Sequence, residues 1–165
     1  MIAGNVDIVD DSLVPLHDLG VTESKLRGLV GYLMEALFLD PECELSLAFV
    51  SEDVMTQLHV QWMDEPGSTD VLSFPMDNLR PGTAELLSGP GLLGDIVVCP
   101  QVAQRQAEAA GHTLAAECEL LITHGMLHLL GHDHYEPEEH AVMFGLQDRL
   151  LNGWHLKAPE SGDLL

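Results

Sequence analysis

Basic residues are scarce in this chain. Six Lys and Arg face 27 Asp and Glu among 165 residues, a formal charge of −21. Phosphate contacts normally come from Lys and Arg, so this balance argues against nucleic acid as a partner and favours divalent cations or basic proteins. Solubility, in a cytoplasm whose salt screens the repulsion, is the plainer meaning of the acid. No apolar run is long enough to cross a bilayer. The start, Met1 to Asp7, has neither a basic n-region nor an apolar h-region. A soluble cytoplasmic protein with no membrane partner is expected. Cysteine is nearly absent: Cys43, Cys99 and Cys118 are odd in number, far apart and form no CxxC pair. That excludes a disulfide framework and a zinc–thiolate cluster, and predicts reduced, buried thiols.

What the chain does hold is apolar residues, 46% of the total, enough for a real core in one domain over 1–165. Their spacing predicts a strand at 4–9, then a loop to 21. Thr22 caps a helix whose Leu26, Leu29, Val30, Leu33 and Leu37 recur at helical period to about residue 39. A half-buried strand follows at 45–50, then a helix from Ser51 to about Met63, and a turn at 64–68. Residues 69–74 read as a strand ended by Pro75, 77–93 as a long loop with three Gly and two Pro, and 93–99 as another strand. Pro100 starts a helix to about Ala110. Thr113 caps an apolar helix to Leu130, and a last helix covers about 137–154, leaving 157–165 frayed. The fold class expected is α+β: a small mixed β-sheet of about four strands packed with about five helices.

Four histidines fall within eleven residues, His124, His128, His132 and His134. The first two are four apart, about 40° apart around a helix and one turn along the same face. Single histidines such as His17, His59, His112, His140 and His155 are ordinarily solvated or hydrogen-bonded. Two on one stripe of a Leu-, Ile- and Met-rich helix carry a desolvation cost that a shared metal ion would offset. Gly131 can adopt a positive φ and end the helix, after which His132 or His134 can supply a third ligand. Three neutral imidazoles suit one zinc ion with a position left for reaction, and nickel or copper could take the same ligands. The spacing His-x3-His-x2-Gly-x2-His favours His134 and is that of a metzincin-like metal helix. The glutamate that such peptidases carry after the first histidine is here Gly125.

The stretch His-Gly-x-Leu-His-Leu-x-Gly-x-Asp-His over 124–134 resembles the signature of the YbeY family of metal-dependent endoribonucleases. Two further blocks agree with that family: Thr69-Asp70-Val71-Leu72-Ser73-Phe74-Pro75 and Leu93-Gly94-Asp95-Ile96-Val97-Val98-Cys99. The resemblance covers about residues 43 to 154. It implies a single-domain α+β fold, one zinc per chain on His124, His128 and His134, and cleavage of single-stranded RNA. It also implies work in ribosomal RNA processing, notably at the 16S 3′ end, and in ribosome quality control, with the ribosome or small-subunit proteins as partners. Many members carry an arginine beside an aromatic residue just before the Thr-Asp-Val block; here Trp62 is followed by Met63, Asp64 and Glu65.

A carboxylate must still move a proton. Asp95, at the opening of a strand within the third block, is the candidate base, and Asp133 the acceptor that orients an imidazole. Ser73 and Thr69 are candidate donors to phosphate, and Arg105 is a cation near in sequence. The other readings are a metallopeptidase, and a ribosome-associated zinc protein with little catalysis. Oligomeric state is open.

Overall fold

A computed structural model describes residues 5–63, 67, 69–132 and 136–157. Parts of the 64–68 turn, Asp133, His134 and the 158–165 end lie outside the described residues. The order is β1 (Val6–Asp11), a short 3-10 turn (Leu16–Leu19), α1 (Glu23–Ala36), β2 (Glu44–Val50), α2 (Glu52–Met63), β3 (Val71–Pro75), β4 (Leu92–Val98), α3 (Pro100–Ala110), α4 (Leu114–Leu129) and α5 (Pro137–Lys157). The sheet runs β1-β2-β4-β3. β1, β2 and β4 are parallel, and β3 is an antiparallel edge against β4. Among the described residues, four strands in a mixed sheet and five α-helices match what the sequence pattern calls for.

Local chemistry fixes the helix ends. The Thr22 hydroxyl accepts from Lys25 N–H and that of Thr113 from Ala116 N–H, each relieving an orphan donor of a first turn. Pro100 occupies the first turn of α3, and Gly111 closes that helix at φ +78°. The 3-10 turn was not visible in the pattern: four residues are too few to show a period, and Asp10 makes it by accepting from Leu16 N–H. α5 runs three residues past its expected end at 154, to Lys157.

Alternation divides the sheet into two faces. Leu45, Leu47, Phe49, Leu93, Ile96 and Val98 enter the main core with α1, α4 and α5; Leu72, Val97 and Val50 pack with Met55 of α2 on the other side. β4 carries a bulge: Glu44 pairs with Leu92 but Leu45 with Gly94, which leaves Leu93 as an extra residue. The alternation therefore restarts at Gly94, whose φ is +135°. The loop between β3 and β4 is tied to the end of α1, Gly82 N–H donating to Leu37 O and Ser88 N–H to Phe38 O.

All three cysteines are buried and unbridged. Burial pushes the Cys118 thiol up to about 12, reinforced by Glu117 and Glu119, and burial also raises Cys99. The thiolate is the reactive form. A thiol-titrating disulfide reagent should thus register none of the three in the native protein and all three after unfolding in denaturant. Rapid labelling of native protein would show that these sites open.

Candidate metal centre

His124 and His128 stand on one face of α4, both half-buried. Their Nε2 atoms are 3.1 Å apart, with the rings nearly perpendicular at 79°. Behind them, His124 Nδ1 donates to Gln147 Oε1 of α5 at 2.8 Å. Gln147 is 3% exposed, so this bond fixes the Nδ1–H tautomer and turns the Nε2 lone pair toward His128. Two nitrogens that each sit about 2.0–2.1 Å from a tetrahedral ion are about 3.3 Å apart. The observed separation fits that donor pair. The chemistry fits too, since an imidazole that gives its Nδ1–H to Gln147 has Nε2 left as the atom that can bind a metal.

The third ligand expected from the sequence, His134, lies outside the described residues, as does Asp133. Among the described residues no group of three or more His, Cys, Asp or Glu is placed to hold a metal. His132, the other choice, lines a separate hollow with Gly131, Glu138, Glu139 and Val142, and its N–H donates to Leu127 O. Gly131 has φ +97°, and its N–H donates to His128 O. The expected helix-ending turn is thus present, one residue beyond the cap Leu130.

The imidazoles open into a cleft of about 630 Å³ between β3, α4, α5 and α2. His59, Thr69, Asp70, Ser73 and Phe144 line it with Gln147. Ser73 Oγ donates to Gly125 O at 3.3 Å, which ties β3 to the histidine helix. Phe144 lies against both His124 and His140, stacked on the latter with centroids 4.3 Å apart. Gly125 faces the sheet: a Cβ there would press on Ser73 Oγ and Ile96. A side chain at the position a peptidase fills with glutamate would therefore require Ser73 and Ile96 to give way by a few tenths of an ångström.

Two expected residues are not brought to the histidines. Asp95 pairs across the sheet with Phe74, while the neighbouring pair Ser73–Ile96 faces α4. Asp95 thus sits on the opposite face, in an open groove with Ser46, Ala48, Trp62, Phe74 and Met76. Counting alternate residues from the buried Leu93 puts it on the inner face; the bulge at Gly94 reverses that. Arg105 is held at the far side of α3 by both carboxylate oxygens of Glu52, at 3.3 and 2.7 Å. Thr69 turns its hydroxyl to Asp70.

Sequence reasoning missed Gln147. The signal was present: Met143, Gln147, Leu150 and Trp154 share a buried stripe on α5, and the lone amide in it needs a polar partner. Replacing it with leucine, which keeps the bulk, should weaken metal affinity about 10–100-fold with the helix content kept. Competition against a chromophoric chelator reads the change; unaltered affinity would make Gln147 a mere packing residue.

A family model described as Endoribonuclease YbeY matches residues 17–155. The chain is 53% identical to the endoribonuclease YbeY of Thermobifida fusca (strain YX) over 156 residues, 94% of this chain and 97% of that protein. It is 58% identical to the endoribonuclease YbeY of Leifsonia xyli subsp. xyli over 136 residues, 82% of this chain and 89% of that one. The solution structure of TM1509 from Thermotoga maritima is similar at TM-score 0.60 and 25% identity, over 92% of this chain and 90% of that chain.

Proposed function

Because the chain belongs to the YbeY family of endoribonucleases, we propose that it cleaves single-stranded RNA with one zinc ion held by His124, His128 and His134. The observation that carries this reading is the convergence of two imidazole Nε2 atoms in a cleft, one of them fixed from behind by a buried amide. When bound, zinc supplies Lewis acidity toward a phosphodiester oxygen and makes water acidic enough to attack near neutral pH. The protein's own residues do the rest. Gln147 holds His124 in its ligating tautomer. Ser73, on the edge strand, and Thr69 border the place where a phosphate would lie. Asp70 is the carboxylate that lines the cleft among the described residues, with one oxygen accepting from Val71 N–H at 2.8 Å, and it is placed for the proton transfer that the sequence suggests for Asp95.

The setting proposed is ribosomal RNA maturation, at the 16S 3′ end, and ribosome quality control in the cytoplasm, with the domain running over 1–165. Among the described residues no helix is long and apolar enough to cross a membrane. The zinc-loaded protein, offered single-stranded RNA and casein in low salt, should cut the RNA alone, and a chelator should stop it. Casein cleavage, or RNA cleavage indifferent to chelator, would overturn the proposal.

A further inference from the structure

A strand of RNA entering the cleft needs a cation, and among the described residues the cleft lining contains no Lys or Arg. Of the five basic residues whose side chains are described, Arg27 is engaged by Glu23 and Val6 O, and Arg105 by Glu52. Lys25 is on α1. Arg149 is two residues beyond the inward-facing Gln147, about 200° around α5, and is exposed. Arg80 is placed differently. It sits on the long loop that leaves β3 after Pro75, a cleft-lining residue, and its guanidinium lies against Gly131 in the turn that follows His128.

The loop presents this side chain in a fixed way. Arg80 Nη1 donates to Asn78 O and Leu79 O at 3.2 and 3.0 Å, and the loop beyond is tied to α1 at Gly82 and Ser88. No carboxylate pairs with it among the described residues, and its Nε and Nη2 make no hydrogen bond there. On the other side of Gly131, Glu138 and Glu139 line the adjoining hollow. A phosphate approaching the turn therefore meets acid from α5 and a guanidinium from the loop.

We propose that Arg80 is a substrate-binding residue that holds a backbone phosphate of the RNA beside the one being cut, and so sets the strand along the β3 side of the cleft. This rests on the endoribonuclease reading above. Its alternative is structural: an arginine at the C-terminal end of α4 also complements the helix dipole.

Arg80→Ala and Arg80→Lys separate the two. In Arg80→Ala the KM for a short single-stranded oligoribonucleotide should rise about tenfold with kcat within about twofold, metal content and melting temperature being unchanged. The slope of log binding constant against log salt, read by anisotropy on a 2′-O-methyl oligonucleotide first checked by gel to stay intact with the wild-type protein, should fall by about 0.7. Arg80→Lys should recover most of both, because a point charge suffices for one phosphate. An unchanged salt slope in Arg80→Ala, or a lowered melting temperature with binding intact, overturns the proposal. Should the wild-type protein bind this probe but leave RNA uncut, the catalytic reading fails, while the Arg80 assignment stands or falls on the salt slope alone.

Discussion

Purified His128→Ala protein should contain no stoichiometric zinc and should cleave single-stranded RNA about a thousandfold more slowly than wild type, or worse. Removing one of two convergent imidazoles leaves His124 without the neighbour 3.1 Å away that completes its donor pair. Loss of the ion forfeits several kcal/mol of charge stabilisation in the transition state, and each 1.36 kcal/mol is a factor of ten. The ring is only half-buried, so circular dichroism should report an intact helical fold. His17→Ala is the matched control, since that imidazole is exposed beside Asp18 in the 3-10 turn; it should leave metal and rate unaltered. One equivalent of zinc retained by His128→Ala would refute the ligand assignment.

The second large effect lies away from the histidines. Gly94→Ala should destabilise the protein by about 3 kcal/mol and lower the melting midpoint by about 6–12 °C. Gly94 holds φ +135°, which residues with a Cβ rarely adopt, and the added carbon would overlap the Phe74 carbonyl oxygen and crowd Leu129. Relief requires β3 to move from β4. Since β3 carries Ser73 into the cleft, RNA cleavage should fall as well, while the metal content stays at one per chain. An unchanged midpoint would mean that β4 has no bulge, and Asp95 would then belong on the histidine side.

That residue shows where the sequence stops being readable. The helices could be read because their signals are local: Thr22 and Thr113 cap, Pro100 starts, Gly111 stops, and the leucines of α1 repeat at helical period. The histidine pair was legible for the same reason, as four residues make one turn. Asp95 was not, because its face depends on one extra residue in β4 that shows only against the register of β2. Strand order is likewise non-local: β4 is inserted between β2 and β3, and nothing in the order of residues states it. Arg105 was judged by sequence distance, yet its side chain is claimed by Glu52, 53 residues away. Gln147 comes to His124 across 23 residues, through the packing of α5 on α4. The acid composition argued against nucleic acid and the motif for it. The structure eases the conflict locally, since Asp70, the one carboxylate among the described residues that line the cleft, is engaged by the adjoining backbone N–H, and Arg80 stands at the neighbouring turn.

The most direct test is a titration of metal-free protein with zinc, with bound metal and RNA cleavage followed in the same samples. A rate near zero without zinc should climb in proportion to bound ion and level at one per chain. Full cleavage by the metal-free protein, or activity still rising well past one equivalent, would contradict the one-zinc mechanism.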